Sequence, residues 1–542
     1  MQTVAPTSAS HVSDACVALN PQSYKQPVKS WSTIPSEIIA LILHMFDDDM
    51  TKMLATHVCR NWREAALGCP TLWTTVHLTG GAAATHRAQN FAARAAPLPV
   101  DLFDCYTATP VHLHPAWLEL IAGVFPRVRS IRAYCTIAEE DIPTLRHILD
   151  LPAPVLESFV LSLEQETAHS PLSAVGLGQA PRLTQFNLSG RNNLPIPWKA
   201  RWYMNQLTYL TLAVDHTETY GQHLEPQIHD VEEVLDCLES LKGTLQYLRL
   251  HHISVRVPEE HTCRRVELPR LSSLYMAGAT SDLVNLRSHL DFNKGTFVDL
   301  RPQIFHGDSY SLPALFPVAA RNLPPITSLH CIGSKDHFRM WAYCEATPHA
   351  LVQVHIQGDS HVIPFSLAMM SMCKFLPDRR LPALEARNIP TSYMWSAETW
   401  TVILFGVQGL EIIITDGDAA AALCEALGVW RSSDRRWFTF PSLAAMVKDS
   451  KASPDPASRE YFLSDLKKLV LLGIEDLPEW FLQCLQDRAE AGHPLKSIQV
   501  TMYEEENIIK WRGLLRQVVE EVGVFQCIRE EVDMPQSEDG NM

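Results

Sequence analysis

The feature that most constrains this chain is a short phrase that it repeats: leucine, two variable residues, an apolar residue, one variable residue, another apolar residue. It stands at Leu156–Leu161, Leu183–Leu188, Leu207–Leu212, Leu245–Leu250, Leu271–Met276 and Leu495–Val500. Weaker copies lie at Val128–Ala133, Ile326–Cys331, Leu384–Asn388, Leu410–Thr415 and Leu443–Lys448. Phe159 to Phe186 is 27 residues and Leu248 to Leu274 is 26, whereas the 38 residues from Leu210 to Leu248 predict an insertion. A unit of that length holds one short strand and a return segment. It cannot bury its apolar face alone, so copies must stack. Helical spacing between the phrases, at Trp117–Ile121 with Val124 and Phe125, at Val231–Leu241 and at Trp480–Ala491, predicts the return segments. The expectation is an irregular α/β solenoid over residues 79–528, a horseshoe with a parallel sheet on its concave face. An ordinary α/β domain with chance copies is the alternative.

A different pattern precedes it. Residues 1–30 are rich in Ser, Thr, Ala and Pro, have no hydrophobic period, and read as a disordered lead-in. In residues 31–46, Ile34, Ile38 and Ile42 recur at i, i+4, i+8, and Met45 and Phe46 continue the stripe. This predicts an amphipathic helix, with Pro35 tolerated in its first turn and Glu37 suited to its positive end. Asp47-Asp48-Asp49 breaks the pattern and supplies acidic residues to start the next helical stretch. Over 51–67, Leu54, Val58 and Trp62 again fall at i, i+4, i+8. Gly68 and Pro70 stop that stretch, Leu72-Trp73 is expected to close the module over its own core, and Thr75–Leu78 reads as a short strand. Some forty residues bury little surface alone, so the cap of a larger domain is the plain reading.

The order of landmarks argues for more. Ile34-Pro35-x-Glu37-Ile38, then Leu54 with Val58-Cys59-Arg60-x-Trp62-Arg63, then Pro70-x-Leu72-Trp73 resembles the F-box over residues 31–78. The repeat period is similar to that of leucine-rich repeats, although the usual Asn after the phrase is missing, with Arg191 and Asp215 nearby instead. The whole chain resembles fungal F-box proteins with degenerate leucine-rich repeats, which Ala95–Val100 and Leu485–Leu495 also support. The resemblance implies a three-helix module that docks on the Skp-family adaptor of cullin–RING ubiquitin ligases, and a solenoid that recognises a target protein. Carried over, the docking surface comprises Ile34, Pro35, Ile38, Ile42, Leu43, Leu54 and Val58, with Trp62 and Trp73 in the module core. Ile34 stands where the family most often has Leu, a volume-conserving change. A non-ligase scaffold built on the same parts is the alternative.

Chemistry is sparse. With 45 Lys and Arg against 61 Asp and Glu, the net charge of −16 disfavours a phosphate backbone as partner. No apolar run reaches 18 residues, and Met1–Asn20 lacks the pattern of a secretory signal, so a cytoplasmic or nuclear protein is expected. The 13 cysteines form no CxxC pair and read as buried free thiols. His251-His252 has no accompanying ligand set, which leaves the pair as the end of a strand. Gly80-Gly81 and Gly406-x-x-Gly409 lack nucleotide fingerprints, and Ser36 and Ser442 lack a nucleophile-elbow context. No catalytic, cofactor or metal site is expected, and no enzyme. Residues 529–542 read as an acidic, flexible tail.

Recognition should then fall to a surface. If the phrase leucines point inward, the variable residues between them face outward. Tyr209, Tyr247, Arg249 and Tyr275 are of the types that dominate interface hot spots, and they are the candidate target-binding residues.

Overall fold

The computed structural model describes residues 34–46, 49–78, 82–104, 110–164, 180–191, 206–215, 228–256, 264–303, 324–333, 337–344, 349–357, 381–387, 409–429 and 464–527, with a few single positions between. The expected lead-in 1–30, the tail 529–542 and the weak phrase copy at Leu443–Lys448 lie outside the described residues. The fold is mixed α/β. Eleven helices and one large, mostly parallel sheet are described, and the sheet is not a closed barrel.

The chain enters through three short helices, α1 (Ser36–His44), α2 (Asp49–Ala55) and α3 (Arg60–Leu67). Pro35 caps α1, and its carbonyl accepts the amides of Ile38 and Ile39. Asp49 opens α2 and brings a negative charge to its first turn. The 51–67 stretch is not one helix, contrary to its continuous stripe. Its chain turns at Thr56–Cys59, where the Thr56 hydroxyl donates to the Met53 carbonyl at 2.7 Å and Arg63 Nε donates to the Thr56 carbonyl at 3.0 Å. These local bonds compete with helix continuation, as threonine side chains do. Leu54 and Val58 therefore do not share a face with buried Trp62.

The module does not close over a core of its own either. Trp73 donates from Nε1 to the Ala66 carbonyl at 2.9 Å, and its ring centroid lies 4.8 Å from that of Phe91 on α4 (Ala82–Arg94). The strand β1 (Thr75–Leu78) is already part of the main sheet. It pairs in parallel with β2 (Val100–Asp104).

From there, strands are added largely in chain order. β4 (Val128–Ile137) follows β2 and also takes β3 (Val111–Leu113) along its second half. Next come β5 (Ser158–Leu163), β6 (Gln185–Arg191) and β7 (Tyr209–Asp215), each parallel to the last. β8 (Ile228–Asp230) and β10 (Ser254–Arg256) form a separate two-stranded ladder, as do β11 (Val266–Leu268) and β13 (Leu290–Phe292). The main sheet continues past them through β9 (Tyr247–His251), β12 (Ser273–Ala279) and β14 (Phe297–Gln303).

The register puts the phrase residues in rows. Phe159, Phe186, Leu210, Leu248, Leu274 and Val298 stand side by side, and Leu161, Leu188, Leu212, Leu250, Met276 and Leu300 form the next row. All are buried, in one hydrophobic cluster with the helices' apolar residues. The stacked rings of Phe159 and Phe186 lie 5.4 Å apart within it. Each such side chain contributes about 1.5–3 kcal/mol by leaving water.

One stretch departs from the parallel expectation. β15 (Ile326–Gly333), β16 (His337–Cys344) and β17 (Val352–Gln357) pair antiparallel with one another, and β17, not β15, sits beside β14. The connections are too short for a crossover, which needs a dozen residues or more, so the chain must reverse. Parallel order resumes as β18 (Ala383–Arg387) joins β15, followed by β19 (Ile412–Asp416), β20 (Lys468–Ile474), β21 (Ser497–Met502) and β22 (Glu521–Gln526). No described helix is long and apolar enough to cross a membrane.

Candidate functional site

Two surfaces gather the residues singled out by sequence. On the module, α1 buries Ile39 and Leu43 and turns Ile38, Leu41 and Met45 outward. Those three lie at i, i+3, i+7, one face of a helix. On the next two segments Leu54 and Val58 are each 62% exposed. Pro35 is exposed, and Ile34 and Ile42 are half-buried against the core. Leu43, expected on the docking surface, is 1% exposed and packs beneath it. Its place on the outside is taken by Met45, which the sequence puts on the stripe, and by Leu41, which sequence reasoning passed over. Trp62 and Trp73 are buried, in the cluster that the module shares with the rest of the chain. Asn61 Nδ2 donates to the Ile34 carbonyl at 3.1 Å and fixes α3 against the start of α1.

The second surface is the face of the sheet opposite the leucine rows. Tyr209, Tyr247, Arg249 and Tyr275 occupy adjacent strands, where Tyr209 pairs with Tyr247 and Arg249 with Tyr275. The two tyrosine rings stack at 4.1 Å and 1°. Burial raises the Tyr247 phenol to about 12, helped by its hydrogen bond to Tyr209. The Arg249 guanidinium lies 4.5 Å over the Tyr275 ring, and Arg301 approaches the same ring at 4.9 Å. Burial also raises the Tyr275 phenol, against the pull of the two arginines. Asp299 pairs with Tyr275 across the ladder and takes the Arg301 guanidinium at 3.2 Å. Its burial raises its carboxyl above the ordinary range despite that ion pair. The structure thus brings all four predicted residues together and adds Asp299 and Arg301, whose strand lacks the leading leucine of the phrase.

Nothing in either place resembles a reaction centre. Among the described residues no group of three His, Cys, Asp or Glu could hold a metal ion. The described cysteines are free thiols, and burial raises Cys237 to about 12, which keeps it protonated and inert. His251 ends β9, and His252 follows with a φ of 53°. The arrangement offers stacked rings and guanidinium groups to a binding partner. Compared with protein-family models and with curated proteins, the chain matches none.

Proposed function

We propose that the chain is a substrate-recognition adaptor of an SCF-type cullin–RING ubiquitin ligase, acting in the cytoplasm or nucleus. Residues 31–78 are its F-box, which docks the Skp-family adaptor, and the sheet is the inner wall of an irregular leucine-rich-repeat-like solenoid that holds a target protein. Parallel pairing in chain order supports the solenoid reading.

One observation carries the docking half. Among the described residues, seven of the eleven exposed large hydrophobics lie between Ile38 and Leu67: Ile38, Leu41, Met45, Met50, Leu54, Val58 and Leu67. A thirty-residue segment that leaves this much apolar surface in water is suited to a hydrophobic partner surface. The adaptor's contribution to ubiquitin transfer is proximity, which raises the target's effective concentration at the charged enzyme.

The test is capture of the Skp-family adaptor and cullin by the full chain, beside an Ile38→Asp/Val58→Asp variant. Both positions are exposed, so the substitutions leave the fold intact. The expected result is capture of both proteins by the wild type and loss of both by the variant, at about 2 kcal/mol or more per anchor. Capture that survives the variant contradicts the docking face. Adaptor without cullin contradicts the ligase role and leaves a scaffold.

A further inference from the structure

Beyond the tyrosine cluster, the outward face of the sheet carries a charge opposite to that of the chain. From β9 to β18 the described outward positions hold Arg249, Arg301, Arg339 and Arg387 against Asp299 and Glu385, an excess of two positive charges in a protein of net charge −16. His251, His330 and His355 lie among them. Both carboxylates are already engaged: Asp299 by Arg301, Glu385 by Arg387 and by His330 at 3.3 Å. Arg339 has no carboxylate partner among the described residues, and its Nε lies 3.4 Å from His355 Nε2.

A second observation concerns the neighbouring row. Thr211 sits beside Arg249 in the same row and is 4% exposed, yet its hydroxyl has no hydrogen-bond partner. The buried Nε of Arg249 lacks one too. Buried polar atoms are normally paired. This pair of unmet groups adjoins the stacked tyrosines, at the edge of the arginine stripe.

We propose that this face binds an acidic, extended segment of a partner protein, with an apolar or aromatic side chain resting on Tyr209 and Tyr247 and carboxylates reaching Arg301, Arg339 and Arg387. The proposal rests on the reading of this face as the target-binding surface. Charge complementarity selects the occupant, and guanidinium forks match carboxylates two bonds at a time. The lattice of the sheet sets the spacing. Arg301 lies two strands away from Tyr247 and four residues further along, about 16 Å at about 4.8 Å per strand and about 3.3 Å per residue. An extended peptide covers that distance in about five residues.

The test uses the full chain and a labelled synthetic peptide, one tryptophan, four alanines and four glutamates. Its controls are the same peptide with lysines for glutamates, one with tryptophan adjoining the glutamates, and a single-stranded oligonucleotide. The glutamate peptide should bind, more weakly as salt rises. The adjoining version should bind several-fold more weakly. Arg339→Glu, which breaks no carboxylate pair, should weaken binding about fivefold, and Arg301→Gln/Arg339→Gln/Arg387→Gln about tenfold or more. Thermal melting of each variant reports its fold.

Equal binding of the lysine peptide, no binding of the glutamate peptide, or indifference to Arg339→Glu overturns the proposal. Tighter binding of the oligonucleotide overturns it in favour of nucleic acid. Binding that appears only when Glu530, Glu531 and Asp533 are changed to Lys assigns the face to the chain's own tail. Adaptor capture measured on the same samples separates the two readings: a chain that binds the peptide without the adaptor refutes the F-box and leaves this inference standing.

Discussion

The helical module and the outward face of the sheet offer partners opposite chemistries. The module exposes aliphatic side chains, Ile38, Leu41, Leu54 and Val58, with the exposed charges of Glu37, Arg60, Arg63 and Glu64 of both signs around them. The sheet exposes half-buried tyrosines and arginines already stacked on one another. An aliphatic helix face gains its binding energy by leaving water and suits one constant partner surface. An arginine and tyrosine face gains selectivity from charge and geometry, which suits a choice among targets. The two are nonetheless joined mechanically. Trp73 bridges α3 to α4, and β1 delivers the module into the sheet.

That junction gives the largest expected effect. Trp73→Ala should cost about 3–5 kcal/mol. Because Trp73 packs on Phe91, the module and the first strands should lose amide protection together in hydrogen exchange. Separate melting of the module would break the claim of a shared core. Within the module, Leu43→Ala should cost about 2–5 kcal/mol and Leu54→Ala less than about 0.5, by denaturant titration. Similar costs would mean that the two leucines do not face opposite ways.

The pH response belongs to neither face but to the small β8–β10 ladder. Burial lowers His229 to about 4, from an unfolded value of 6.5. The unfolded chain binds the extra proton between those values, so this contribution is present above pH 6.5 and is lost as pH falls towards 4. His229→Leu should flatten that slope by on the order of 2 kcal/mol, read as the melting midpoint against pH. An unchanged slope would refute the assignment. Smaller still is the coupling of Tyr209 and Tyr247, about 1 kcal/mol in a double-mutant cycle to leucine. Zero coupling would leave the stack without energetic content.

Much of this architecture could be read from the phrase. Strands β5, β6, β7, β9, β12 and β21 each begin two residues after the leading leucine, and their variable residues face outward together. β14 escaped because Gly295 stands where the register calls for that leucine. β20 follows a good copy, Leu466-Lys-Lys-Leu469-Val-Leu471, that was passed over. β16 was legible too, since Phe338, Met340, Ala342 and Cys344 alternate at strand period. The docking face was harder. Ile38 to Leu43 reads Ile-Ile-Ala-Leu-Ile-Leu, apolar all round, so periodicity alone could not say that Ile39 and Leu43 turn inward while Leu41 turns out. The Arg301 and Arg339 stripe was invisible for another reason. It exists across strands, at positions that only the register brings together.

The central claim is that the chain presents two independent binding faces, one aliphatic and one cationic. Its most direct test measures Skp-family adaptor capture and glutamate-peptide binding on the same two full-length variants. Ile38→Asp/Val58→Asp should abolish capture and leave peptide binding unchanged, whereas Arg339→Glu should weaken peptide binding and leave capture intact. Loss of both activities in either variant, or of neither in both, would contradict the account.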